Sequence, residues 1–149
     1  METTNEKNMA TFTHLSILSQ YCIPFGNYIF PILIWSSKKE KSEFIDFHGK
    51  QVLNFQLSIL LYSLILGIIA VPIFVVTFFN SIPLNTIIND DIMNHLSLEN
   101  ISGIIIVGII AILIIIGLKI AEFFLIILAS LKASNGEKYK YPLTIPFIK

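Results

Sequence analysis

Between Phe47 and Ser63, polar and aromatic side chains recur at steps of three and four: His48, Gln51, Asn54, Ser58 and Tyr62. A helix stacks residues so spaced on one face. That face carries an imidazole, two amides, a hydroxyl and a phenol, and it enters a stretch that is otherwise oily. It could line a hydrophilic cavity for a small solute, with Asn54 and Gln56 on nearby helix positions. It could instead bond across helices and fix how neighbouring segments pack. Such bonds in a membrane average about 0.6 kcal/mol, so they specify geometry more than they add stability.

Lys119 and Glu122 are the second candidate, an ionisable pair at i and i+3 inside the last apolar stretch. Charges at that depth are costly and must face a bundle interior or water. Their spacing lets each neutralise the other. A proton or ion pathway would need further intramembrane carboxylates, and the other apolar stretches offer none. The third feature is a series of small residues, Gly117, Ala121, Ala129 and Ala133, with a matching step of Ser63 and Gly67. Small residues four apart let helix backbones approach closely, within one chain or between copies.

Other chemistry is excluded by what is missing. There is no GxSxG, Walker loop, HExxH or GxGxxG. Serines near His14 have no acidic third member beside them. His14 and His48 would need further ligands to hold zinc, and no close cluster supplies them. Cys22 is the only cysteine, which rules out an internal disulfide and any CxxC motif. The expectation is no catalytic residue, no metal, no cofactor and no enzymatic activity. All ten basic residues are lysine, so the bidentate arginine fork used on phosphates and base edges is absent and nucleic acid is not an expected partner.

The elements that must position these residues belong to a membrane. Of 149 residues 54% are hydrophobic and only 13% charged, with a mean hydropathy of +0.76. A soluble domain would carry about 25% charged residues. The pattern predicts an all-α integral membrane bundle, a single domain over 1–149 with two short helices followed by two long ones. The short ones are expected at 11–22 and 27–37, broken at Pro24–Gly26, where proline removes a donor and glycine frees the backbone. Residues 12–35 could cross the bilayer once, cross twice or re-enter, and periodicity does not choose. The long helices are expected at 44–80, with Pro72 inside, and at 101–133. Ser134-Asn135-Gly136 supplies a stop. The N-terminus lacks the marks of a cleaved secretory signal, so the first apolar segment is expected to stay.

Lysine placement gives an orientation. The loop at 36–50 holds Lys38, Lys39, Lys41 and Lys50, and the tail at 134–149, with Lys132 just before it, is equally basic, whereas the loop at 81–100 has no lysine. The lysine-rich loop and the C-terminal tail are therefore expected in the cytoplasm, with 81–100 outside a bacterial cell membrane. Tyr139, Tyr141 and Phe147 suit an anchor at headgroup level.

Three blocks carry a resemblance: HLSILSQYCIPFGNYIFPILIW at 14–35, KKEKSEFIDFHGKQVLNFQ at 38–56 and KASNGEKYKYPLTIPFIK at 132–149. Together they resemble a bacterial membrane family of unknown function, grouped with the twenty-kilodalton Tic subunit of the chloroplast inner-envelope import machinery. Phe47-His48-Gly49-Lys50 and Asn54-Phe55-Gln56 would then form a signature block, with Gly136-Glu137 and Tyr141-Pro142 in a tail signature. Lys140 stands where that tail tends to carry arginine, and Lys119 and Glu122 lie outside the signature. The resemblance implies a compact helical membrane domain and a non-enzymatic component that, like an import subunit, acts through protein or peptide contacts. Expected partners are the lipid bilayer, a membrane protein or peptide, and a second copy of the chain. A small-solute channel or transporter lined by the stripe, and an accessory or immunity-type membrane protein, are the rival readings.

Overall fold

The computed structural model describes residues 2–82 and 98–149. Among them the chain is all-helical, with four α-helices, one 3-10 helix and no strand. The helices are α1 (Thr4–Leu15), α2 (Gly26–Lys38), α3 (Glu43–Ser81) and α4 (Leu98–Ser134), and the 3-10 helix is Ser16–Tyr21. Most of the expected 81–100 loop, residues 83–97, lies outside the described residues. Two helices are long and apolar enough to cross a membrane, over Glu43–Asn80 and Ser102–Ser134. The chain divides into two compact units, one of Met1–Tyr62 with Ile120–Lys149 and one of Ser63–Lys119.

Helix α1 starts at Thr4, ahead of the apolar run, because its cap is strong. The Thr3 hydroxyl accepts from the Glu6 N–H at 3.3 Å, and the Glu6 carboxylate accepts from the Thr3 N–H at 2.8 Å. This capping box satisfies two amides that helix geometry leaves without partners. After Leu15 the backbone tightens into the 3-10 turn, where Ser16 and Ser19 donate their hydroxyls to Thr13 and Ser16 carbonyls at 2.7 and 2.6 Å. Serine hydroxyls bonded this way compete with the α-helical ladder. The chain then reverses through Cys22–Phe25, with Phe25 at φ 61° in the left-handed region. Gly26 opens α2 where a Cβ would collide with Ser19, at 2.6 Å from its Oγ and 2.9 Å from its backbone. A short antiparallel hairpin results, with α2 packed on the 3-10 helix.

Helix α3 has 39 residues, about 58 Å at ~1.5 Å per residue. It continues through Pro72. Helix α4 closes in a Schellman turn. Gly136, at φ 83°, donates to the Ala133 carbonyl and Glu137 donates to Lys132, both at 2.9 Å.

In the unit of Met1–Tyr62 and Ile120–Lys149, Ile17, Val52, Phe55, Ile126, Ala129 and Tyr141 form the main apolar cluster. Ala10, Phe44 and Ala133 form a smaller one. Ala129 and Ala133 are thus small where helices touch. Ser63, Gly117 and Ala121 are exposed, and a Cβ at Gly67 or Gly117 would meet nothing within 4 Å. Trp35 of α2 lies across Gly49 of α3, where a Cβ would fall inside the indole. Its ring N–H donates to Asp46 at 2.9 Å.

Gly49→Leu is expected to lower stability by about 1–3 kcal/mol through overpacking, read as a lower unfolding midpoint in detergent, whereas Gly67→Ala should not lower it. The Ser42 hydroxyl, then the Thr3 amide and hydroxyl, hold the Glu6 carboxyl at about 2 against an ordinary 4.5. A depressed acid stabilises the fold above its unfolded value and loses that contribution as pH falls toward its folded one. Amide exchange in the first turn of α1, corrected for its intrinsic rate, should therefore accelerate as pH drops from 4.5 toward 2, and Thr3→Ala should shrink that pH dependence.

Candidate functional site

The polar face of α3 meets the C-terminal tail. Asn54 binds both backbone polar groups of one residue: its Oδ1 accepts from the Ile148 N–H at 2.8 Å and its Nδ2 donates to the Ile148 carbonyl at 3.0 Å. Ser58 accepts from the Ile145 N–H at 2.8 Å and donates to the Asn54 carbonyl at 2.7 Å. Tyr62 donates its hydroxyl to the Leu143 carbonyl at 2.6 Å. The tail thus runs antiparallel to the helix. A four-residue helical step rises about 6 Å, and two extended residues cover about 6.6 Å, which matches the pairing of 62 and 58 with 143 and 145. The next step spans three tail residues, and a tight turn takes up the surplus: Phe147 donates to the Ile145 carbonyl at 2.9 Å around Pro146.

His48, one turn before Gln51, belongs to a different arrangement. His14 Nδ1 lies 2.8 Å from the Tyr141 hydroxyl and His14 Nε2 lies 2.8 Å from His48 Nδ1. All three side chains are buried. Phe55 stacks flat on Tyr141, with centroids 4.0 Å apart, and Phe44 and Phe47 meet the His48 ring edge-on. Burial, and then His48, pushes the His14 imidazole well below its ordinary value, and burial pushes the Tyr141 phenol well above its own. A neutral His14 uses one nitrogen as donor and the other as acceptor, so the three groups form a chain of a single sense. Tyr141, expected at the headgroups, is a core residue; its ring finds Phe55 and its hydroxyl finds His14.

Glu122 anchors a third group. Its Oε1 accepts from Gln20 at 3.2 Å and from Gln56 at 3.3 Å, and the Gln56 Oε1 accepts from Asn27 at 2.6 Å. Glu122 is 4% exposed. Lys119, the expected partner, lies three residues earlier on the same helix. Gln20 and Asn27 were not singled out by sequence, although both are amides flanking a break in an apolar stretch, where a polar side chain needs a partner. Gln51 is half-buried and makes none of these bonds.

Among the described residues no three His, Cys, Asp or Glu side chains stand close enough to share a metal ion. The facing His14 and His48 nitrogens, 2.8 Å apart, leave no room for zinc, whose bonds to nitrogen are each about 2.0 Å. What the arrangement does is mechanical: it binds the tail, through backbone groups, to the helix that carries the stripe.

Asn54→Leu should release the tail end by leaving both polar groups of Ile148 unpaired, a loss of about 1–3 kcal/mol for buried groups. Faster amide exchange at Ile148 and faster carboxypeptidase trimming would report it. Tyr62→Phe, which removes one exposed bond, should do much less.

Comparison with known proteins corrects the resemblance drawn from sequence. A family model described as the magnetosome magnetite crystal formation protein family, MamF/MmsF, matches residues 5–148, and the Tic-like assignment is overturned by it. The blocks behind that assignment hold residues that shape the fold. Gly49 receives Trp35, Asn54 holds Ile148 and Tyr141 closes the core. No curated protein and no solved structure matches the chain. With almost its full length covered by the model, the chain belongs to the MamF/MmsF magnetosome magnetite crystal formation family.

Proposed function

We propose that the protein is a non-enzymatic, multi-pass component of a bacterial magnetosome-type membrane, acting through contacts with other proteins or peptides where magnetite is formed. The observation that carries this reading is the extent of the family match, residues 5–148, which takes in the folded unit, its bound tail and both long apolar helices. The outward side chains of those helices are isoleucine, leucine, valine and phenylalanine, which suits acyl chains as their surroundings. Lysines at 38, 39, 41 and 50 and at 132, 138, 140 and 149 favour the cytoplasmic face for both ends of the folded unit. The stripe on α3 supports a scaffold more than a conduit. Asn54, Ser58 and Tyr62 are occupied by the tail, which counts against a solute path along them. The contact-making surface is then placed on the unit of Met1–Tyr62 and Ile120–Lys149, which holds the tethered tail.

The test is complementation. A magnetite-forming bacterium deleted for its own family member should regain crystals of near-normal size when it expresses this chain, with the protein retained in the magnetosome membrane after an alkaline wash. Correct membrane retention with no change in crystal size or number would overturn the proposal.

A further inference from the structure

We infer that residues 4–38, from α1 through the 3-10 helix to α2, form a re-entrant hairpin that dips into the bilayer from the lysine-rich side and returns to it, with its tip at Cys22–Phe25 in contact with acyl chains. This rests on the membrane reading above and adds a third insertion that neither long helix provides.

Both ends of the hairpin lie at one level. At the near end Ala10 of α1 packs with Phe44 and Ala133. At the other end Trp35 of α2 lies on Gly49 and bonds Asp46. All of these contacts fall on or beside the first two turns of α3. The middle of the hairpin reaches further along: Gln20 meets Glu122 and Asn27 meets Gln56. From Glu43 to Gln56 is thirteen residues, about 20 Å at ~1.5 Å per residue, against a hydrocarbon core of ~30 Å. The hairpin is too short to cross and too deep to lie on the surface.

Its surface polarity is inverted relative to a soluble protein. Gln20 and Asn27 point inward, whereas Phe25 is 74% exposed, Tyr21 61%, Leu33 59% and Ile23 46%. The same unit also exposes Phe124, Leu128 and Leu131 of α4, which belong to a candidate span. Water would not tolerate so large an apolar surface on a monomer, and lipid does. The reversal bonds much of its own backbone, which lowers the cost of irregular structure at membrane depth. Cys22 and Ile23 donate to the Ser19 carbonyl at 3.0 and 2.9 Å, and Gly26 donates to Ile23 at 3.0 Å. Pro24 has no donor to satisfy.

Cys22, the chain's single cysteine, is exposed at the tip and reads out its own surroundings. In intact membrane vesicles of either orientation, a charged maleimide should label it at least about tenfold more slowly than an uncharged, lipid-soluble one, because hydrocarbon excludes charge. Denaturing detergent should abolish that difference. On a Cys22→Ser background, Asn5→Cys and Lys41→Cys should both label with the charged reagent from the same side. Rapid labelling of Cys22 by the charged reagent in intact vesicles would place the tip in water and overturn the inference. Labelling of Asn5→Cys and Lys41→Cys from opposite sides would mean a full crossing and would overturn it too. Protein that sediments with membranes yet gives either result refutes the hairpin while leaving the membrane reading intact. Wild-type Cys22 needs no substitution, so a misfolded variant does not decide the matter.

Discussion

Polar side chains enclosed by an oily exterior must find one another, and that constraint organises the folded unit. His14, His48, Asn54, Gln56, Ser58 and Glu122 are each less than 5% exposed, while phenylalanines and isoleucines cover the outside. In water the driving force for such an arrangement would be absent. In lipid, where an unpaired amide or hydroxyl costs several kcal/mol, partner choice becomes the determinant of geometry. The bonds do not make the protein very stable; they make one packing far better than its neighbours.

Three networks divide the labour along α3. Near its start the His14, His48 and Tyr141 side chains tie α1, α3 and the tail together. Further along, Glu122 gathers amides from the 3-10 helix and α3, and through Gln56 reaches α2. On a separate face Asn54, Ser58 and Tyr62 read the backbone of the tail. The apolar cluster around Ile17, Val52, Phe55 and Ile126 sits among them. Of the small residues picked out by spacing, Ala129 lies in this cluster and Ala133 in the smaller one with Ala10 and Phe44. Close approach elsewhere is achieved by Gly26 under Ser19 and Gly49 under Trp35.

Much of this was visible in the primary structure, and the remainder has a physical reason for being hidden. The long helices follow from uninterrupted apolar runs, the break from Pro24 and Gly26, and the end of α4 from Gly136. Of the spaced series, Asn54, Ser58 and Tyr62 meet the tail, whereas His48 turns to His14. The tail could not be read as a partner, because Asn54 bonds the backbone of Ile148 and any residue has one. Tyr141 was misplaced because a phenol suits a headgroup and a core alike, and only the distant Phe55 and His14 decide. The early start of α1 was legible after all in Thr3 and Glu6, a capping box that hydropathy obscures. Family assignment failed for a related reason: motifs that specify a shape do not specify a task.

The tether between Asn54 and Ile148 joins residues 94 apart in sequence, with α4 lying between them. During synthesis the stripe on α3 emerges long before the tail exists, so its amide and hydroxyls wait for their eventual partners. Those bonds form only after α4 has been made and the chain has doubled back, a closure of high contact order. The last strap therefore acts as a latch on assembly: until it closes, the nascent protein carries an open hydrophilic seam.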